Sequence, residues 1–308
     1  MSEIAMSRRN ALLLAGSMPA LLAVPAVAQT APASAAPGFQ GRVHAFRLGG
    51  FELVTALAGS GRNDDPIGTF GLDIPPETFA KVSAENFIPS DWAAGSFTPV
   101  LLRGPEGLVL FDTGMEPAHT RAALALAGVK PEDIGHVVLT HMHPDHIGGL
   151  MEGDAPVFAG AQLIAPQAEA EYWAANPTEA YKAKVAPLIG KARLIGDGDE
   201  ILPGVRAEAA HGHTPGHTTY LLESQGKKLL LTGDSFNHYV WSVQHPEWHV
   251  RFDVDKVMGA ATRRRVLVRL ANERIPFVGY HMPFPAVGFI APNSAGAWRY
   301  VPATYQFT

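Results

Sequence analysis

Four potential metal ligands fall within six positions of this chain. His141, His143, Asp145 and His146 lie in the run Thr140-His141-Met142-His143-Pro144-Asp145-His146-Ile147-Gly148-Gly149. Imidazole nitrogen and carboxylate oxygen are the donors that suit borderline divalent ions. The apolar run 136–140 leads straight into the cluster and reads as a buried strand. Side chains two apart at a strand end point the same way, so His141 and His143 can share one ion. Asp145 and His146 lie past Pro144, where the chain must turn, and can face a second ion close by. With 13 histidines in 308 residues, such a cluster after an apolar strand is improbable as a chance surface feature.

Three further features repeat the pattern of a ligand at a strand end or turn. His211-Gly212-His213-Thr214-Pro215-Gly216-His217 precedes a strand over 218–223, Leu230-Leu231-Thr232-Gly233-Asp234 ends one on a carboxylate, and Val278-Gly279-Tyr280-His281 ends another on a histidine. Each alone reads equally as a satisfied structural group. Together with the first cluster they supply five histidines and two aspartates, enough for two ions. The chain has no cysteine, which removes disulfides, thiolate nucleophiles and thiolate ligands at once. Of the other histidines, His211 and His217 read as structural or supporting groups, while His238, His245 and His249 either line a pocket or sit on a solvated loop. Trp173, His238 and Trp241 are candidates for a substrate pocket, with Tyr172 and Trp248 as further aromatic walls; core packing is the competing reading for each aromatic.

The elements that must position these groups alternate between strand and helix. Strands are expected over 51–57, 97–102, 108–111, 136–140, 163–165, 205–209, 218–223, 228–232, 277–280, 286–290 and 298–301, and the turn Gln225-Gly226 makes 218–232 a hairpin. Helices are expected over 117–126, about 167–188 and about 254–272. Residues 58–96 are the least regular stretch and are expected to form a lid or a homodimer contact. At 47% hydrophobic and net charge −5, the chain reads as an ordinary globular protein with no footprint for nucleic acid. Arg263-Arg264-Arg265 reads as the solvated face of a helix. At the N-terminus, Ser7-Arg8-Arg9 precedes an apolar run ending at Ala26-Val27-Ala28, the arrangement of an export signal. It resembles a bacterial twin-arginine signal. Residues 1–28 are therefore expected to be removed, 29–42 to be a linker, and 43–308 to be one catalytic domain that is exported or periplasmic, with no stable membrane association.

The His-x-His-x-Asp-His run, His-Thr-Pro-Gly-His at 213–217, Asp234, His281 and the upstream Asp112-Thr113-Gly114 together resemble the metallo-β-lactamase superfamily, from about residue 43 to the C-terminus. His141–Gly149, His211–Tyr220, Glu223-Ser224-Gln225-Gly226 and Trp298-Arg299-Tyr300-Val301-Pro302 resemble its methyl parathion hydrolase and lactonase branch. The resemblance implies an α/β (α+β) protein, a four-layer αβ/βα sandwich with metals at one edge between the sheets. It implies that His141, His143 and His213 hold one metal, that Asp145, His146 and His281 hold the other, that Asp234 bridges them, and that Asp112 orients ligands. One departure is Asn237, where quorum-quenching lactonases carry a tyrosine. The implied reaction is cleavage of an ester, lactone or phosphotriester by a hydroxide between two divalent ions, most simply zinc, with iron, manganese or cobalt as alternatives. Asp145 and Asp234 are the candidate proton carriers. The rival readings are a metal-dependent oxidoreductase on the same fold and a catalytically inactive binding protein.

Overall fold

The computed structural model describes residues 40–293 and 297–307. The expected export signal and linker residues 29–39 lie outside the described residues. Two seven-stranded sheets follow one another along the chain, and in each the strands lie side by side in sequence order. The first comprises β1 (Arg42–Leu48), β2 (Phe51–Leu57), β3 (Val100–Gly104), β4 (Gly107–Phe111), β5 (His136–Val138), β6 (Gln162–Pro166) and β7 (Arg193–Ile195). The second comprises β8 (Glu200–Leu202), β9 (Val205–Ala209), β10 (Thr218–Ser224), β11 (Lys227–Leu231), β12 (Phe277–Val278), β13 (Val287–Pro292) and β14 (Trp298–Pro302). Strands β4 to β7 run parallel, as do β11 and β12.

Parallel neighbours require crossovers, and helices supply them. Pro117–Leu126 crosses between β4 and β5, Gln167–Ala175 lies between β6 and β7, and Lys256–Glu273 lies between β11 and β12. The strand period of two then sorts apolar residues into layers. Leu101, Leu110, Val137 and Leu163 pack with Leu124, Ala170 and Trp173 of the helices. Their neighbours Leu102, Val109, Val138 and Ile164 share a core with Ala207, Tyr220, Leu222 and Leu231 of the second sheet. The first sheet is therefore buried on both faces, which explains its near-continuous apolar runs. Val266, Leu267 and Leu270 of Lys256–Glu273 complete the fourth layer. The β10–β11 hairpin closes on Gln225 and Gly226, both at positive φ (51° and 73°), as a two-residue turn requires.

The structure adds strands the sequence did not mark, Arg42–Leu48, Arg193–Ile195 and Glu200–Leu202, and overturns two readings of the fold. Residues 58–96 are not irregular: Ser60–Asn63 pairs with Ala93–Ser96, and Pro76–Glu85 is a helix between them. Phe70 and Phe79 pack on Trp241, and Phe79 also on Trp248, forming a third core with Val240 and Val250. The segment thus shares its core with the loop after β11. Arg263 is not solvated. It is buried, donates to Pro246 O and Trp248 O, and pairs with Asp253 at 2.6 Å, because that turn of the helix faces the same loop.

Candidate metal centre

Every candidate ligand leaves the end of a strand at one edge of the sandwich. Beyond β5 come His141 and His143, and the helical turn Pro144–Ile147 carries Asp145 and His146. His213 lies between β9 and β10, Asp234 follows β11, and His281 follows β12. The structure brings all seven together as two adjoining groups: His141, His143 and His213, and Asp145, His146, Asp234 and His281.

Hydrogen bonds from outside fix how the rings face. His213 Nδ1 lies 2.9 Å from Asp253, His146 Nδ1 2.8 Å from Asp112, and His281 Nδ1 2.9 Å from Ser96 O. His141 Nδ1 lies 3.0 Å from the Thr140 hydroxyl, which itself donates to Asp112. These partners accept an Nδ1 proton and so leave each neutral ring's Nε2 lone pair pointing inward, the tautomer of a metal-ligating histidine. His141 Nε2, His143 Nδ1 and His213 Nε2 then face one another 2.9–3.1 Å apart. With all three rings neutral, the converging lone pairs repel, and a cation among them, a proton or a metal ion, relieves the clash. A tetrahedral ion with metal–nitrogen bonds of about 2.0–2.1 Å sets its donors about 3.3 Å apart, close to this spacing.

In the second group, His281 Nε2 is 3.0 Å from Asp234 Oδ2. His146 Nε2 and Asp234 Oδ1 face each other at 3.1 Å, yet both are buried without an aligned hydrogen bond. Asp145 Oδ2 lies 3.4 Å from His281 and 3.5 Å from His146. Asp234 also approaches His213 at 3.3 Å, so its carboxylate lies between the two groups. The orphaned atoms, the inward lone pairs and the N/O donor set all fit two divalent ions.

The electrostatics show what the ions would displace. Burial drives the His141 and His143 pKa values well below normal, reinforced by neighbouring imidazoles. Burial also opposes charge on His213, but Asp234 and Asp253 outweigh it and raise its pKa to about 9. The same contest, with Asp234 and Asp145 as the carboxylates, raises His146 and His281. Although burial disfavours its charge, Asp234 is held well below the carboxylate range by the surrounding histidines.

Around the ligands stand supporting residues, some of which the sequence did not mark. Asp253 links His213 to Arg263. His217 accepts from Asp234 N and lies against Ala210 O; burial lowers its pKa to about 3, so it is a neutral positioning group. Asn237 donates to Asp234 Oδ2 at 2.9 Å. Glu169, on the helix Gln167–Ala175, bonds both ligand loops and was not singled out in the sequence, where one Glu on a helix looks like any other.

A cavity of about 800 Å³ opens beside the ligands, reached by His143, Asp145, Asp234 and His281. Phe70, Phe97, Met115 and Phe252 give it an apolar wall, and Arg62 and Arg251 stand at its edge, paired with Asp64 and Asp65. His238 lines it, stacked 3.9 Å from Trp241. Trp241 itself is buried beneath, because its indole fills the third core and donates to Ser83. Trp173 does not line this cavity either. It stands behind His143 and donates to Glu169, as the helix that carries it packs on the far side of the loop. His245 stacks on Trp248, His249 lies near Asp73, and His211 contributes its carbonyl to Thr262; none of the three belongs to either ligand group.

Comparison with known proteins decides the family. Residues 98–255 match the model of the metallo-β-lactamase superfamily, half of the chain and most of the ligands. The chain belongs to the metallo-β-lactamase superfamily. Among its relatives is an N-acyl homoserine lactonase of Bacillus cereus, 27% identical over 206 residues, which cover 58% of this chain and 79% of the relative. A second, from a Bacillus species, is 30% identical over 208 residues with the same coverage. Among solved structures, AidC, a dizinc quorum-quenching lactonase in complex with a product, superposes with a TM-score of 0.79 at 23% identity, over 86% of this chain and 99% of its own. This member of the superfamily is an enzyme, a metallo-hydrolase acting on ester bonds.

Proposed function

We propose that this hydrolase uses two divalent ions to open lactones, or cleave esters, that carry an apolar acyl group. The observation that carries the reading is the seven-ligand centre at the floor of an apolar cavity of about 800 Å³. The lactonase relatives support the lactone, and the dizinc neighbour supports zinc. His141, His143 and His213 would hold one ion, Asp145, His146 and His281 the other, with Asp234 shared.

Bound there, the ions would supply Lewis-acid polarisation of the scissile carbonyl and acidify the attacking water. The chain does the rest. Phe70, Phe97, Met115 and Phe252 bind the apolar part of the substrate and exclude water around it. Asp145, at the cavity surface, takes up the proton of the attacking water and returns it to the leaving alkoxide. Asn237 holds Asp234 in orientation; an amide is no proton donor in this role, which leaves the shuttle to the carboxylates.

The test is a substrate panel on protein of known metal content: N-acyl homoserine lactones of graded chain length, simple lactones, aryl esters and aryl phosphotriesters. Acyl lactones should give the highest kcat/KM, with phosphotriesters as slow alternative substrates. Absence of metal-dependent hydrolysis across the panel overturns the proposal. Reconstitution with iron against zinc tests the oxidoreductase rival, against which the four-residue second ligand group speaks. Export is supported by Ser7-Arg8-Arg9 and is tested by cell fractionation of the Arg8→Lys/Arg9→Lys variant.

A further inference from the structure

Glu169 has no part in the chemistry above, yet it is fully buried beside it. It sits at the start of the helix Gln167–Ala175, directly after β6. Each of its oxygens accepts two hydrogen bonds. Oε1 takes the Met142 backbone N–H at 2.9 Å and the Trp173 indole N–H at 2.6 Å. Oε2 takes the Thr214 hydroxyl at 2.7 Å and the Gly216 backbone N–H at 2.9 Å. Met142 lies between His141 and His143, and Thr214 follows His213. One side chain therefore joins the two loops that supply the three-histidine group, although those loops are 72 positions apart. The approach is close: a Cβ on Gly216 would stand 2.1 Å from Glu169 N, so only glycine lets the loop reach the helix.

The chemistry of this contact is one-sided. All four partners are donors and all four are neutral, so only an ionised carboxylate satisfies them together. An anion buried among neutral partners lacks a countercharge, and burial raises the Glu169 pKa in spite of its hydrogen bonds. A cation held by His141, His143 and His213 would supply that charge.

We propose that Glu169 is a positioning residue for the three-histidine group. Its carboxylate locks the two loops so that the three ring nitrogens converge, and its charge favours a divalent ion among them. This rests on the reading of those histidines as ligands. The substitution Glu169→Gln keeps the shape but turns an amide N–H₂ against two donors.

The experiment is competition with a chromophoric chelator on the full chain loaded with zinc, together with the visible spectrum after cobalt substitution. For Glu169→Gln, one of two ions should weaken by about 10–100-fold, the range for supporting residues around a metal. The second ion should keep its affinity, the cobalt spectrum should change, and kcat should fall with little change in KM. Thr214→Val and Trp173→Phe each remove one donor and should show smaller losses at the same ion. They stand in for Glu169→Gln if that variant does not fold. Two ions bound with unaltered affinity and spectrum in these variants, with only the melting temperature lowered, overturns the proposal. Wild-type protein that takes up no ion overturns the ligand reading itself, and this inference with it.

Discussion

At the scale of single residues, the centre depends on which proton sits on which nitrogen. Asp112, Asp253, Ser96 O and the Thr140 hydroxyl hold the Nδ1 side of four rings and so aim their Nε2 atoms inward. Among the described residues, Asp234 is the one carboxylate in ion-pair distance of both groups. Asp234→Asn is expected to lose one metal equivalent and at least about 100-fold in kcat, read by elemental analysis and steady-state kinetics. Two tightly held ions in that variant would refute the bridging role. Protons and metal compete at the same atoms. The folded, metal-free protein holds a proton on His213 up to a pKa of about 9, raised from 6.5. That proton stabilises the metal-free fold fully below pH 6.5, and the stabilisation fades as pH rises through 9. Metal uptake near neutral pH must therefore expel it, so apparent affinity should rise with pH toward 9. Calorimetry in buffers of different ionisation enthalpy reads the released protons; no release at pH 7 would refute the assignment.

At the scale of elements, the ligand loops are held by what packs behind them. The helix Lys256–Glu273 contributes Arg263, which closes a buried chain from the loop carbonyls Pro246 and Trp248 through Asp253 to His213. Removing one member of a buried ion pair strands the other charge. Arg263→Met should destabilise the fold by about 3–5 kcal/mol in denaturant melts. It should also weaken metal binding, since Asp253 loses the partner that holds it. Surface neighbours Arg264 and Arg265 should tolerate the same change, each within about 0.5 kcal/mol. Gly216 tests the other loop: Gly216→Ala places a Cβ 2.1 Å from the backbone of Glu169 and should lower both melting temperature and metal occupancy.

At the scale of the whole molecule, the sandwich brings together ligands spread from residue 141 to residue 281. Ions that bind only the folded chain stabilise it by mass action. At a thousandfold excess over its Kd each ion adds about 4 kcal/mol. Chelation should therefore lower the melting temperature, and zinc restored at micromolar concentration should recover it; an unchanged melt would mean that the folded centre binds no ion. Among the described residues no helix is long and apolar enough to cross a membrane.

The candidate ligands were legible in the sequence because metal chemistry constrains residue type and local spacing. His141, His143, Asp145 and His146 lie within one turn of chain, and His213, Asp234 and His281 each end or border an apolar strand. The period-two pattern of the strands made most of the two sheets readable for a similar reason: burial on alternate faces writes itself into neighbouring positions. Apart from Asp112 and His217, what supports the ligands did not show. Glu169, Asp253 and Arg263 act across gaps of tens of residues, and nothing near them in the chain distinguishes them from solvated charges. Phe70 and Phe79 found their partners in Trp241 and Trp248, so two stretches that each look irregular form one core. By itself the sequence picked out the candidate donor set, most of the strands and the class of metallo-hydrolase. Only the tertiary structure decided which charges are buried, which aromatics wall the cavity and which are core, because those depend on contacts between segments that the chain order does not record.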